Sequence, residues 1–225
     1  MRRLWKFLKR LVAFFLVASV LSVVAFRFLP VPLTPLMLIR CCEQMADGKN
    51  LKLEHSWIPL DEVAPNLPRA LMANEDQRFL EHHGFDAKEM KKIIREKQNR
   101  GGSTISQQTA KNLFLWPGRS YVRKGFEAYF TVLMELFWSK QRIMEVYVNS
   151  IEFGDGVYGA QAAAQHFFHK DASQLTRDEC IRLAAVVPGP LNRDPLHPNM
   201  KVRRLMRHID RQMKNVGPFP MNNQP

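Results

Sequence analysis

The longest uninterrupted apolar stretch of the chain lies near its N-terminus. Residues 11–26 carry no charged side chain, and as a helix they would be roughly 24 Å long, slightly short of a hydrocarbon core of about 30 Å. Extension past Arg27 gives a predicted transmembrane helix over residues 11–29. A cleavable signal peptide, with a small residue such as Ala25 near the cleavage site, has the same pattern and stays open as an alternative.

Polar side chains recur with helical spacing in the middle of the chain. A helix that begins near Ser103 places Thr104, Gln108 and Lys111 on one of its sides. A Pro-Gly dipeptide then ends this helix. The polar stripe therefore lies along a single helix face.

A second helix is predicted to follow, with Ser120 as its N-cap and its end near Ser139. Arg123 and Glu127, four residues apart, project together beside its apolar face. The alternative interpretation of these two residues is an ordinary exposed ion pair on a solvated helix flank. The apolar residues assigned to the inward face are Val122, Phe126, Tyr129, Phe130, Leu133, Leu136 and Phe137.

The segment between the apolar stretch and this region contains several prolines. Residues 30–60 are therefore predicted to form an irregular juxtamembrane connector. Asn66 is predicted to cap a short helix that runs to Ala73. Glu75 would then lie near a helix C-terminus, where the helix macrodipole raises the pKa of a carboxyl group.

The remainder of the chain has helix signals and almost no strand signal. The expected fold class is therefore all-α, with one domain over residues 61–217 and a short tail over residues 218–225. Further helices are predicted after Asp86, after Ser139, over residues 161–169, after Thr176 in a capping box with Glu179, and from about Asn199.

Charge adds a preference for certain partners. The formal net charge is +12 at pH 7, and five basic residues lie within residues 1–10, which contain no acid. The positive-inside rule predicts that this basic tail is cytoplasmic and that the chain after about Pro30 lies outside the cytoplasm. The remaining surplus favours an anionic membrane or a phosphorylated substrate, because a membrane anchor argues against nucleic acid. The three cysteines define neither a disulfide framework nor a zinc site.

Five short motifs follow one another between about residues 60 and 215. In this order they resemble the monofunctional peptidoglycan glycosyltransferases, a family that polymerises lipid-linked disaccharides, and the resemblance implies a lysozyme-like fold. Gln77 departs from the arginine that the family frequently has, which removes one phosphate contact. The motifs contain Glu75, Asp76, Phe79, His82 and Gly84; then Gly102, Ser103, Thr104, Gln107, Gln108, Lys111 and Asn112; then Arg123, Lys124 and Glu127; then KQRIMEVYVN; and finally RLAAVVPGP.

The resemblance implies a role for each matching residue. Glu75 matches the general base, and Glu127 matches a second essential carboxylate that orients the donor pyrophosphate. Asp76 would position other motif residues. Phe79 and His82 would shape the floor of the site, although core packing and a structural histidine are equal alternatives. The residues expected to bind substrate are Asp76, Phe79, His82, Thr104, Gln108 and Asn112, together with the cationic set Lys111, Arg119, Arg123 and Lys124 that would face the pyrophosphate.

The implied reaction joins units of lipid II. An acceptor sugar hydroxyl attacks the anomeric carbon of the lipid-linked glycan chain with inversion, and undecaprenyl pyrophosphate leaves. No obligatory cofactor is expected, and any Mg²⁺ or Mn²⁺ would arrive with the pyrophosphate. His166 and His169 have helical spacing but no third ligand, so no protein metal site is expected.

The implied location is the inner membrane of a bacterial cell, with a single span and a periplasmic catalytic domain. Cell-wall synthesis or division proteins are candidate partners. No penicillin-binding signature occurs in the sequence, so transpeptidation is not expected. Two other functions stay open, a lysozyme-like lytic enzyme and a non-catalytic envelope scaffold. The cationic set disfavours the first, and the intact carboxylates disfavour the second.

Overall fold

The computed structural model describes residues 1–96, 102–118 and 120–221, which are mostly helical. This confirms the predicted all-α class with an N-terminal apolar helix. The α-helices of the described residues are α1 (Arg2–Phe26), α2 (Pro35–Ala46), α3 (Asn66–Glu75), α4 (Ala87–Arg95), α5 (Ile105–Phe114), α6 (Tyr121–Phe137), α7 (Lys140–Ser150), α8 (Ala160–Phe168), α9 (Arg177–Val186) and α10 (Met200–Gln212). The strands are β1 (Glu54–His55), β2 (Glu152–Gly154) and β3 (Val157–Tyr158), and single 3-10 turns lie at Leu60–Glu62 and Ala172–Gln174.

Helix α1 includes both the basic tail and the apolar run. It is 25 residues long, and within the described part of the chain it alone has the length and composition to cross a membrane. Most of its side chains are exposed, and only Ser19 and Val23 are buried. Both lie in its C-terminal half, which packs against α6.

The segment after α1 is more ordered than the sequence indicated. The prediction of an irregular connector is wrong for residues 35–46, which form α2. The Thr34 hydroxyl accepts a hydrogen bond from the Met37 N–H, and Pro35 occupies the first helical position, where it is tolerated. Helix α2 packs against α5 with Met37 fully buried. Part of the predicted juxtamembrane segment is therefore packed against the domain as a helix.

The core lies where five helices converge. Helix α3 packs on α9, and α5 packs on both α6 and α7. Helix α10 covers α3 and α9 from outside. Large buried side chains from these elements, such as Leu71, Ile105, Met134, Ile143 and Leu183, fill the space between them. Their burial provides most of the hydrophobic stabilisation.

A small sheet lies beside this helical core. Strand β3 is central, parallel to β1 and antiparallel to β2. Each strand has two or three residues, which is too short for the alternation that identifies a strand in a sequence. Gly156, in the turn between β2 and β3, has a φ of +70°, and a Cβ there would lie 2.3 Å from the Lys52 carbonyl oxygen. Only glycine fits this position.

The inward face of α6 differs from the prediction. Val122 and Leu136 are exposed, so their assignment to that face is wrong. Arg123 and Glu127 are instead buried, together with Phe130, Thr131 and Met134. The reason is that α6 contacts two neighbours, α5 and α1, so a single apolar stripe does not describe its buried surface. Ser120 is the N-cap but makes no side-chain capping hydrogen bond.

Most other predicted helix ends agree with the structure to within a residue or two. Asn66 is the first residue of α3 and does not cap it. Thr176 and Glu179 form the predicted capping box of α9. Asn199 caps α10, whose buried residues include Val202 and Ile209 as the apolar pattern indicated.

Candidate active site

Two cavities meet at the N-terminal end of α5. The larger, about 610 Å³, is here called the main groove and lies beside α5, α6 and the loop after α9, with α2 and β2 also contributing. The smaller, about 490 Å³, is called the Glu75 pocket and is lined by α3, α4, α10 and the residues just before α5. Ser103 lines both cavities. The polar residues of the main groove include Gln107, Gln108, Lys111, Asn112, Arg123, Lys124 and Glu127.

Glu75 is the last residue of α3, and its carboxylate lies at the boundary between the two cavities. Its Oε2 accepts a hydrogen bond of 2.7 Å from the Gln108 amide, which lines the main groove. Its Oε1 accepts a second hydrogen bond from the amide of Asn74. Gln108 in turn accepts a hydrogen bond of 3.1 Å from the Tyr147 hydroxyl, and Asn74 donates to the Ala184 carbonyl oxygen at 3.0 Å. Four helices, α3, α5, α7 and α9, thus fix the position of one carboxylate.

The environment of Glu75 favours its protonated form. Burial raises the pKa of the Glu75 carboxyl, although the Gln108 hydrogen bond and the charges of Lys111 and Arg193 act to lower it. The predicted direction of this pKa shift is confirmed. Its main cause is desolvation rather than the helix macrodipole.

Glu127 is held by two cations in the main groove. Its Oε2 accepts a hydrogen bond of 2.8 Å from Arg123 Nη1, and its Oε1 accepts one from Lys124 Nζ. Arg123 and Glu127 are both buried, so the interpretation of an exposed pair is wrong. Lys124 also donates to the Ser103 hydroxyl at 3.2 Å. The Nε of Arg123 is buried without a hydrogen-bond partner among the described residues.

The charges of both carboxylates, Glu75 and Glu127, act on the Lys111 ammonium group. Burial lowers the pKa of the Lys111 ammonium, Arg123 and Lys124 act in the same direction, and Glu127 and Glu75 oppose them. Arg123 and Lys124 pair directly with Glu127, and Lys111 lies in the field of Glu127 and Glu75, so three cationic side chains face two carboxylates. This excess positive charge suits an anionic ligand.

Three of the predicted substrate contacts, Phe79, His82 and Asp76, make contacts within the fold, and Asp76 also lines the Glu75 pocket. Phe79 is fully buried, packs against Phe219 and lies under Lys140, so its placement at the floor of the site is corrected to a place in the core. His82 donates from Nε2 to the Asp76 carboxylate at 2.9 Å and lines neither cavity. Asp76 also accepts a hydrogen bond from the Ile105 N–H at 3.0 Å, which fixes the start of α5 beside the end of α3. Asp76 is therefore a positioning residue, as predicted.

Thr104 is the N-cap of α5. Its hydroxyl accepts from the Gln107 N–H and donates to the Gly84 carbonyl oxygen at 2.6 Å. Because its one donor hydrogen is used by Gly84 and the residue is only 3% exposed, the structure does not support the predicted hydrogen bond to sugar or phosphate. Asn112 lines the main groove as predicted, and Arg119 lies outside the described residues.

Several residues of the site were not predicted. Asn74 and Tyr147 lie within the first and fourth motifs, but the sequence does not show that their side chains converge on Glu75 and Gln108. Arg193 follows the fifth motif and donates to the Ala185 carbonyl oxygen at 2.6 Å. Glu135 accepts hydrogen bonds from Ser106 and Lys140, which ties α5, α6 and α7 together.

One cluster of the described residues has the spacing of a metal site. The ligand atoms of Asp76, His82 and Asp86 lie within 4.8 Å of one another. Each is engaged by the protein, since Arg78 binds Asp86 at 2.7 Å and His82 binds Asp76. His166, considered above as a metal ligand, lies 3.0 Å from the Glu54 carboxylate.

Comparison with known proteins identifies the family. The family model described as "Transglycosylase" matches residues 43–214. The chain is 47% identical to a biosynthetic peptidoglycan transglycosylase of Bacteroides thetaiotaomicron, over 97% of this chain and 90% of the relative. It is 51% identical to a biosynthetic peptidoglycan transglycosylase of Caulobacter vibrioides, over 92% of this chain and 88% of the relative. It is 47% identical to one of Pseudomonas fluorescens, over 96% of this chain and 92% of the relative. The five motifs, the two carboxylates beside a cationic groove and these matches lead to one conclusion: the chain belongs to the transglycosylase family.

Proposed function

We propose that the chain polymerises lipid II into peptidoglycan strands, and that Glu75 is the base of the reaction. The family and the names of the relatives make the protein a peptidoglycan glycosyltransferase. The observation that carries the mechanism is the arrangement of Glu75, a buried carboxylate of raised pKa, beside the cationic residues of the main groove.

Glu75 takes the proton of the acceptor hydroxyl as that hydroxyl attacks the anomeric carbon. A raised pKa makes a carboxylate a stronger base, provided that the group is ionised at the working pH. Asn74 and Gln108 each donate to one carboxylate oxygen. The Gln108 hydrogen bond lowers the pKa of Glu75 and so favours its ionised form, and both hydrogen bonds hold the orientation of the carboxylate. General-base catalysis of this kind contributes about 10² to 10⁴ in rate.

The pyrophosphate leaving group lies in the main groove near Lys111, Arg123 and Lys124. Fixed cations that face a developing negative charge stabilise the transition state without reorganisation. Glu127 orients Arg123 and Lys124 through direct hydrogen bonds, so it acts on the donor through its neighbours. Asn112 completes the lining of this part of the groove. A divalent cation that accompanied the pyrophosphate would reduce the charge these residues must balance.

The N-terminal helix places this site at the membrane that holds the substrate. Helix α1 serves as a single-pass anchor in the inner membrane, with its basic N-terminus in the cytoplasm and the catalytic domain in the periplasm. Helix α6, which packs on α1, exposes apolar side chains such as Val122, Val132 and Leu136. Such a surface suits a domain that rests on lipid.

Polymerisation by purified protein tests this proposal. Detergent-solubilised wild type, Glu75→Gln and the exposed control Glu62→Gln are incubated with labelled lipid II, and products are separated by size. We expect polymer from wild type and Glu62→Gln, and a rate about 10² to 10⁴ lower from Glu75→Gln. Cleavage of preformed glycan in place of polymer formation would establish a lytic enzyme. A wild-type protein that does neither would leave only the scaffold.

A further inference from the structure

The main groove contains a second polar pair that the mechanism above does not use. Arg40 of α2 and Glu152 of β2 both line the groove. Arg40 Nε lies 3.5 Å from Glu152 Oε1, and Arg40 Nη1 lies 2.6 Å from the carboxylate of Glu43. The Tyr158 hydroxyl donates to Glu152 Oε1 at 3.1 Å.

The charges with the largest effects on Glu152 differ from those with the largest effects on Lys111. The charges that act on Glu152 belong to Arg40, Asp155 and Glu43. By contrast, those that act on Lys111 belong to Glu127, Arg123, Glu75 and Lys124. The groove therefore has two regions, one around Lys111 and one around Arg40.

The two regions of the groove differ in their balance of positive and negative side chains. Around Lys111, Arg123 and Lys124 both pair with Glu127, and Lys111 is a third cation, so three cations face two carboxylates, Glu127 and Glu75. Around Arg40, one guanidinium faces two carboxylates, Glu43 and Glu152. An anion is favoured in the first region and disfavoured in the second. The second region suits a neutral ligand.

The Arg40 region also has hydrogen-bonding capacity left over. Arg40 Nε is buried against Glu152, but the Arg40 side chain is 26% exposed, and Nη2 has no hydrogen-bond partner among the described residues. Both protein contacts of Glu152 go to Oε1, which leaves Oε2 without a partner in the described part of the chain. A carboxylate acceptor beside guanidinium donors matches the alternating donors and acceptors of sugar hydroxyls.

We propose that Arg40 and Glu152 bind sugar hydroxyls of the growing glycan strand. This inference rests on the proposed function, because it places the pyrophosphate near Lys111 and directs the neutral sugars towards α2 and β2. The pair then contributes to elongation, in which the donor carries several sugars. It contributes little to the first coupling, in which the donor is a single lipid-linked disaccharide.

Donor length provides the test. Full-length protein in detergent is supplied either with lipid II alone, scored at the first coupling, or with lipid II plus a preformed lipid-linked octasaccharide donor. For Arg40→Gln and Glu152→Gln we expect kcat/KM for the long donor to fall about tenfold, as expected for the loss of hydrogen bonds to a charged group. First coupling should stay within about twofold of wild type, and polymers should become shorter. Arg177→Gln, in an exposed pair with Asp210 away from the groove, is the matched control.

A conservative variant separates sugar binding from anion binding. Arg40→Lys keeps the charge but loses the donors at Nε and Nη2, so it should show the same dependence on donor length as Arg40→Gln. Full activity of Arg40→Lys on the long donor would indicate an anion site and overturn the proposal. An equal loss with both donors, or no loss with either, would overturn it as well. A wild-type enzyme that forms no polymer refutes the proposed function itself, which is a different result from any of these.

Discussion

At the scale of single residues, the site depends on how the protein treats buried charge. Glu75 is partly desolvated and receives two amide hydrogen bonds, whereas Glu127 is buried against two cations. The first arrangement keeps a proton acceptor reactive. The second lets a carboxylate hold its two cationic neighbours in place.

Removal of the Gln108 amide should move the pH dependence of the enzyme. The Gln108 hydrogen bond lowers the pKa of Glu75 against the larger effect of burial. In Gln108→Met the folded pKa of Glu75 therefore rises further. Because the base must be ionised, activity is lost as pH falls through that pKa, and the acidic limb of the kcat/KM profile should shift to higher pH. A variant with a lower plateau and an unmoved limb would show that Gln108 does not tune Glu75.

Removal of the Glu127 carboxylate should destabilise the fold. Glu127→Gln leaves Arg123 buried without its ionic partner, and the loss of one member of a buried pair costs about 3 to 5 kcal/mol. The free energy of unfolding from denaturant titration measures this cost. Asp210→Asn, which breaks the exposed pair with Arg177, is the control and should cost no more than about 1 kcal/mol. Equal effects of the two substitutions would contradict the buried-pair interpretation.

At the scale of elements, the start of α5 is the point where the first and second motifs are connected by hydrogen bonds. Thr104 is the N-cap of the helix, and its own N–H donates a hydrogen bond to the side chain of Gln107. The Ile105 N–H donates to the Asp76 carboxylate. The hydroxyl of Thr104 also reaches back to the Gly84 carbonyl oxygen. These contacts hold the first and second motifs together, and so they set the distance between Glu75 and the groove.

Thr104→Ala should weaken this connection. Loss of an N-cap hydroxyl costs about 1 to 2 kcal/mol, and the Gly84 carbonyl loses its donor as well. Thr104→Ser retains the hydroxyl and should recover most of the stability. Unfolding titrations of both variants measure the capping role of Thr104, and KM measured on the folded fraction measures any contact with substrate. A raised KM in Thr104→Ala with unchanged stability would restore the predicted substrate contact.

The positions of most helices could be predicted from the sequence, but the elements against which each helix packs could not. Capping boxes such as Thr176 with Glu179 depend on local contacts, so they could be identified directly. The inward face of α6 could not be, because periodicity does not show that a helix lies between two neighbours. The short strands offered too few residues for a pattern. The site residues Glu75 and Lys111 came from motifs, whereas Tyr147 and Arg40 required the tertiary structure.

At the scale of the whole molecule, helix α1 and the rest of the domain are joined by several hydrogen bonds. The Ser19 and Tyr129 hydroxyls are 2.7 Å apart, and the Trp138 indole N–H donates to the Val23 carbonyl oxygen at 2.8 Å. Arg142 Nε donates to the Phe26 carbonyl oxygen at 3.0 Å, close to the end of α1. Carbonyl groups at a helix C-terminus need such donors, and a cation there is favoured by the macrodipole. The domain is thus held at a defined position relative to helix α1.

Arg142→Ala should loosen this attachment without altering the groove. The carbonyl groups of Phe26 and Leu29 lose their donor, so the backbone around Arg27, which is already exposed, becomes more mobile, and trypsin should cleave after Arg27 faster than in wild type. In detergent, where substrate reaches the groove from any direction, polymerisation should stay close to wild type. In liposomes the groove must lie at the depth of the substrate pyrophosphate, so the rate should fall severalfold. Lys49→Ala, at an exposed site, controls for the loss of a positive charge. An equal fall in detergent and in liposomes would show that Arg142 supports the fold of α7 rather than the position of the anchor.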